Sequence, residues 1–165
     1  MENLPKINTT LLLIIKDGKI LLGEKKRGFA KGVLIGIGGK QDPGETMEQA
    51  MIRETQEEIG VTPKNYEQVA HIVFNTWYKG VHSLLNLNIY SASDYIGEIQ
   101  ETDEIIPGWY DLDSIPYERM LEDDKLWMVE VLKGKKIDGK VVFNENLVMQ
   151  SHEFNEVENF KGLEK

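Results

Sequence analysis

The chain has 165 residues, 41% of them hydrophobic and 28% charged, a size that fits one domain over residues 1–165 and leaves a second cramped. Cysteine is absent, which excludes disulfides and thiolate metal sites and is compatible with a reducing compartment. With 19 Lys and Arg against 28 Asp and Glu, the formal charge is −9. That balance argues against broad binding to the backbone of a nucleic acid polymer, although a small phosphorylated substrate remains possible where metal ions neutralise the carboxylates around it.

The opening MENLPKINTT carries no basic region ahead of an apolar stretch, and the apolar run at 11–15 is too short to span a membrane. The sequence therefore reads as a soluble, cytoplasmic protein. Residues 9–15 and 19–23 are β-rich apolar runs, and the Asp17-Gly18 pair between them predicts a tight hairpin. A glycine-dense stretch follows, from Gly28 to Gly44, and reads as loop and broken strand. Residues 46–59 hold strong helix formers, with Gly60 as a stop and Met47, Ala50, Met51 and Ile59 as an apolar stripe.

Two longer strands are predicted at 66–78 and 81–92, joined at Lys79-Gly80, then an acidic surface loop at 93–104 and a short strand at 108–112. Residues 117–133 predict a second helix with Leu126, Met128, Val129 and Leu132 on its apolar side. A closing hairpin is expected around Asp138-Gly139, with a polar tail after about 155. The fold class implied is α+β, a mixed sheet sandwiched by helices.

The informative segment is 39–61, GKQDPGETMEQAMIRETQEEIGV. Glu54, Glu57 and Glu58 stand at i, i+3 and i+4, which places three carboxylates on one helix face. Such a cluster is usually a solvated surface, and like charges this close repel. Bound divalent cations would turn the repulsion into a site: magnesium takes oxygen ligands and shares them with substrate phosphates. A carboxylate beside it can then deprotonate a water. The glycine loop before the helix lets backbone approach an anionic group closely.

Other chemistries find no support. GIGGK at 36–40 resembles a phosphate-binding loop, but Gln41 stands where Ser or Thr should follow the lysine, and a dinucleotide fingerprint would need glycine there. His71, His82 and His152 lack metal-ligand spacing, and no nucleophile elbow is present.

Taken whole, Gly39, Glu45, Arg53-Glu54, Glu57-Glu58 and Gly60-Val61 occur at the spacing of the Nudix signature, and the chain is identified as resembling the Nudix hydrolases. One position departs: Thr55 replaces the usual aliphatic residue. The resemblance implies a Nudix fold and hydrolysis of a diphosphate linkage with Mg²⁺, or Mn²⁺, as cofactor. It makes Glu54, Glu57 and Glu58 metal ligands, with Glu57 or Glu58 the base candidate. Arg53 and Glu45 would orient loop and helix through a salt bridge, and the Gly38 carbonyl would join the metal shell.

Beyond the signature, GEKKRGFAKG at 23–32, HIVF at 71–74 and the stretch 102–127 resemble the MutT branch, especially the mammalian hydrolases of oxidised purine nucleoside triphosphates such as 8-oxo-dGTP and 2-hydroxy-dATP. That resemblance makes Glu104 a further metal ligand and gives Thr10, Lys25, Phe29 and Phe74 pocket positions. Asp123 and Asp124 match a pair of acids that hydrogen-bond a purine edge; the alternative is that one caps the following helix. Ile35 and Leu121 stand where the mammalian enzymes have Asn and Trp. Ile35 cannot hydrogen-bond a base and Leu121 offers no stacking plane, so altered base selectivity is expected.

Three functions follow. The first is a sanitising hydrolase of oxidised purine nucleotides. The second is a housekeeping Nudix hydrolase of another nucleoside triphosphate or a nucleoside diphosphate derivative, and the third a non-catalytic ligand-binding module. Each implies a small-molecule partner and a monomer or homodimer.

Overall fold

The computed structural model describes residues 3–28 and 30–163. Strands β1 (Lys6–Lys16) and β2 (Lys19–Lys25) form the expected first hairpin, with Lys16 opposite Lys19. Its turn residues Asp17 and Gly18 both have positive φ, 54° and 77°, the geometry that matches the twist of paired strands. The glycine-dense stretch supplies two short strands, β3 (Leu34–Ile35) on β2 and β4 (Ile37–Lys40) on β1.

Helix α1 (Met47–Ile59) starts in a capping box, in which the Thr46 hydroxyl accepts from the Gln49 amide and the Gln49 side chain accepts from the Thr46 amide. It ends at Gly60 in the left-handed conformation. Strands β5 (Thr62–Tyr78) and β6 (Val81–Ile96) form a long hairpin across Lys79-Gly80. β6 pairs as far as Ile96, so the first four residues of the acidic stretch expected as loop from 93 are strand. β7 (Ile105–Asp111) pairs with β2 over its whole length.

Two expectations fail downstream. The helix predicted over 117–133 is broken into a 3₁₀ turn at Tyr117–Arg119 and helix α2 (Asp124–Leu132). Its buried side is Trp127, Met128 and Val131; of the stripe read from sequence, Met128 is buried and Leu132 packs against the core, while Trp127 and Val131 were not expected. The hairpin expected at Asp138-Gly139 lies elsewhere: β8 (Lys136–Phe143) runs straight through that pair, and the chain turns back after Phe143 into β9 (Met149–Val157). Gly139 serves close packing instead, since a Cβ there would meet the Phe154 ring and the Glu153 carbonyl. β9 also carries the tail into the sheet as far as Val157, and Phe160 beyond it is buried.

The sheet runs β3-β2-β1-β6-β5-β8-β9, with β1–β6 and β5–β8 parallel and the other pairs antiparallel. Because successive side chains leave a strand on opposite faces, β1 feeds two cores. Leu12 and Ile14 join Met51 and Ile59 of α1, while Leu13 joins Trp127, Met128 and Val131 of α2. The result is a mixed sheet between two helices. No helix among the described residues is long and apolar enough to cross a membrane.

Candidate active site

α1 brings its glutamates against β4, and the glycines make that approach possible. A Cβ on Gly39 would collide with the Glu54 carboxylate. The Gly38 amide donates to Glu58 Oε1 at 3.1 Å. Arg53, on the same helix, organises the remaining acids. Its Nε and Nη2 grip the two Glu45 oxygens at 2.7 and 3.0 Å, Nη2 also donates to the Lys40 carbonyl, and Nη1 reaches Glu54 and Glu57 at 3.2 Å. Glu45 in turn accepts from the Asp42 amide at 2.8 Å, so one guanidinium ties helix, loop and β4 together.

These contacts set the proton affinities. Burial pushes Glu58 up to about 7, opposed by the Gly38 amide and reinforced by the nearby Glu54 carboxylate. Glu54 is also raised, again by burial, although Arg53 pulls against it. Glu45 is held below the usual carboxylate range by Arg53.

Glu104 arrives from the loop ahead of β7. The Thr102 hydroxyl donates to the Glu58 carbonyl at 2.8 Å and accepts from the Glu104 amide at 3.3 Å, which joins that loop to the last turn of α1. Its carboxylate is paired with Arg27, which lowers its proton affinity. Each acid of the cluster thus lies on an arginine or a backbone amide, and among the described residues no three His, Asp or Glu side chains form a ready-made metal cage. The donor set still fits a hard divalent cation: it is all carboxylate and carbonyl oxygen, and burial together with neighbouring carboxylates raises the cost of ionising Glu54 and Glu58, which a cation would relieve.

Beside the cluster lies a cavity of about 190 Å³ that gathers six of the pocket residues expected from sequence: Lys25, Ile35, Phe74, Leu121, Asp123 and Asp124. Two of the expected eight do not appear there. Thr10 is not among its lining residues, where its neighbours Thr9 and Leu11 are, and its buried hydroxyl has no hydrogen-bond partner. Phe29 falls outside the described residues. The residues that sequence reasoning missed include the hydroxyls of Thr9 and Thr76 and an apolar set spread over three strands: Leu11, Leu85, Leu87 and Phe143. Phe143 stacks on Phe74 with ring centroids 6.1 Å apart.

Asp123 and Asp124 form the polar end of this cavity. Asp123 Oδ2 accepts from the Trp127 indole at 2.9 Å, and its Oδ1 is buried without a partner. Asp124 Oδ2 accepts from the Leu121 amide at 3.0 Å. Although Asp123 occupies the capping position of α2, it makes no capping bond. Burial pushes Asp123 up to about 6. Asp124 is raised well above its ordinary range, by burial and by the neighbouring Asp123 charge.

The three histidines lie apart from this chemistry. His71 pairs with Asp138 and is buried, His82 stacks on Trp77, and His152 stacks on Phe154.

A NUDIX domain matches residues 5–133. The chain belongs to the Nudix hydrolase family. It is 41% identical over 149 residues to the oxidized purine nucleoside triphosphate hydrolase of Danio rerio, covering 90% of this chain and 94% of that protein. The Mus musculus protein of the same name is 36% identical over 151 residues, covering 92% and 96%. Among solved structures, the MutT protein of Bacillus halodurans superposes with a TM-score of 0.79 at 23% identity, covering 90% of this chain and 97% of that one. Nudix hydrolases generally use a divalent metal, in keeping with the donor set of α1. The NUDIX match stops before β8 and β9, so Phe143 reaches the cavity from outside the matched residues.

Proposed function

We propose that this protein hydrolyses oxidised purine nucleoside triphosphates, with 8-oxo-dGTP and 2-hydroxy-dATP as leading substrates, to the monophosphate and pyrophosphate. The carrying observation is that Lys25, which acts on Glu58, also lines a cavity that ends in two buried acids. The vertebrate relatives named above support the substrate class.

On this reading Glu54, Glu57, Glu58 and Glu104, with the Gly38 carbonyl, hold Mg²⁺, or Mn²⁺ in its place. When bound, the cation supplies charge neutralisation for the phosphates and a lower pKa for the attacking water. Water adds to a phosphorus of the triphosphate chain, the P–O anhydride bond breaks, and the proton of the water passes to a carboxylate. Glu58 is the better placed of the two base candidates, because burial and the Gly38 amide fix its orientation. Glu57 is exposed and shared with Arg53. Arg53 and Glu45 position the helix and loop. Lys25, at the cavity wall, offsets negative charge on the phosphates.

The base lies in the cavity against Phe74, with Phe29 as a further aromatic candidate from the sequence. Asp123 Oδ1, buried and unpartnered, accepts an N–H from the purine edge. The raised proton affinity of Asp123 and Asp124 leaves one of them able to donate to a base carbonyl as well. Partners are confined to small nucleotides in the cytoplasm; the charge of −9 disfavours a nucleic acid polymer.

A second reading, a housekeeping enzyme for another nucleoside triphosphate or a nucleoside diphosphate derivative, is favoured by one observation. Ile35 and Leu121 both line the cavity and offer no hydrogen bond to a base. Initial rates on 8-oxo-dGTP, 2-hydroxy-dATP, dGTP, dATP and a nucleoside diphosphate sugar, with and without Mg²⁺, separate the two. A Mg²⁺-dependent preference for an oxidised purine is expected. Equal rates on dGTP and 8-oxo-dGTP would favour the second reading, and no hydrolysis of any would overturn both. Glu58→Gln is expected to lose turnover by orders of magnitude with the fold intact.

A further inference from the structure

Arg27 occupies the carboxylate that the metal site needs. It lies in the loop after β2 and points both Nε and Nη2 at the same oxygen, Oε1 of Glu104, with the Nε contact at 3.1 Å. Its side chain is 64% exposed, and Glu104 is its main partner there, with Asp103 adding a weaker attraction. We propose that Arg27 is an internal placeholder for the divalent cation: it neutralises Glu104 in the metal-free protein and competes with the metal for that carboxylate. This rests on the assignment of Glu104 as a metal ligand.

The surroundings decide the sign of the effect. Glu104 does not depend on Arg27 for its position. Its amide donates to the Thr102 hydroxyl, which is anchored on the Glu58 carbonyl, and its own carbonyl accepts from the Lys26 amide at 2.9 Å. Lys26 Nζ reinforces the same loop through Glu101 and the Thr102 carbonyl. Removing the Arg27 side chain therefore frees a carboxylate that stays in place beside Glu58. A residue that helped to build the site would weaken metal binding when removed; a competitor strengthens it. The pair is solvent-exposed, and pairs of this kind shift an equilibrium by about fivefold at most. The effect belongs in that range, and high salt should reduce it.

The placeholder also has a chemical purpose. Without it, Glu104 would add an unbalanced negative charge near Glu58, which already lies close to the Glu54 carboxylate. An arginine that leaves when the cation arrives keeps the empty site folded without blocking the loaded one.

The test is Mn²⁺ binding to the full chain, read as loss of the free-ion electron paramagnetic resonance signal, for wild type, Arg27→Gln, Glu104→Gln and the double variant. Arg27→Gln should tighten Mn²⁺ binding two- to fivefold, estimated from the strength of exposed pairs. Glu104→Gln should weaken it, and adding Arg27→Gln to that background should change nothing further. Lys31→Gln removes the same charge from the same loop, at an exposed side chain that takes no part in the Glu101 and Thr102 contacts made by Lys26. If it tightens binding as much as Arg27→Gln does, simple repulsion is the cause and the competition is refuted. Unchanged or weaker binding in Arg27→Gln refutes it too. Unchanged binding in Glu104→Gln removes the ligand assignment of Glu104 instead, a separate failure.

Discussion

Arg53 grips Glu45 with both arms of its guanidinium, Nε to Oε2 at 2.7 Å and Nη2 to Oε1 at 3.0 Å, across the junction between α1 and the loop that precedes it. The same side chain holds the Lys40 carbonyl and touches Glu54 and Glu57, so it fixes the candidate ligands relative to β4. Lysine keeps the charge but not the planar fork. Arg53→Lys is therefore expected to fold, with a lower Tm, and to lose turnover. A shift of about 1 Å in the α1 glutamates is enough to cost roughly a hundredfold in rate. Steady-state kinetics beside thermal unfolding check this; full activity in Arg53→Lys would reduce the fork to an ordinary surface pair.

The buried pair Asp123 and Asp124 predicts a pH dependence of stability. Both have folded-state pKa values above the ordinary 3.8, Asp123 at about 6 and Asp124 well above its ordinary range, so the folded protein holds protons that the unfolded chain has already released. The stabilising contribution of protonation is complete below about 3.8 and is lost as pH rises through 6 and beyond. Glu58 acts in the same direction. Asp124→Asn mimics the protonated acid and keeps an oxygen to accept from the Leu121 amide. Its Tm should exceed that of wild type at pH 8 and match it at pH 4, and an equal difference at both values would show that Asp124 is not titrating.

Much of this architecture was legible because local rules and the fold agree. Asp17-Gly18 and Lys79-Gly80 are turns in sequence and in space, and α1 lies between a Thr46 cap and Gly60 as its residues predict. Asp138-Gly139 misled because two other demands placed those residues. Asp138 pairs with buried His71 across the parallel β5–β8 contact, and Gly139 is small because Phe154 packs over it. The second helix is shorter than its sequence predicts because the apolar residues before it serve other surfaces: Met120 joins the core and Leu121 the cavity wall, where Asp124 binds the Leu121 amide in place of a helical turn. At the candidate site, the spacing of the glutamates announced their shared face. Leu11, Leu85, Leu87 and Phe143 gave no such signal, because only the sheet register brings β1, β6 and β8 to one cavity.

Thr55 offers a prediction about stability alone. It is fully buried against the α1 core, and its hydroxyl donates back to the Met51 carbonyl at 2.7 Å. That carbonyl lies within the helix ladder, so the extra bond satisfies the buried hydroxyl rather than a missing partner, and such back-bonding is mildly unfavourable in helices. Thr55→Val exchanges the hydroxyl for a methyl of similar shape. Stability should rise by up to about 1 kcal/mol from the added apolar burial, with kinetics unchanged. Denaturant titration checks the first and initial rates the second. A loss of stability would mean that the hydroxyl has a structural role the Met51 bond does not account for.

Phe143 tests whether the strands beyond the NUDIX match shape substrate binding. The ring is nearly buried, lines the cavity and stacks on Phe74 at an interplanar angle of 13°. Phe143→Leu keeps most of the volume, so its cost in stability should stay below about 1.5 kcal/mol. It removes one plane of an aromatic pair whose geometry is worth about 0.5–1.5 kcal/mol, so KM for a purine triphosphate should rise roughly two- to tenfold. Turnover should hold, because the ring lines the cavity proposed for the base and does not stand among the α1 glutamates. The comparison of kcat and KM therefore separates two roles for the strand. A higher KM at constant kcat makes β8 part of the binding wall. Reduced kcat at constant KM would place its influence on the positioning of the reacting phosphates instead, and unchanged kinetics would leave Phe143 as core packing.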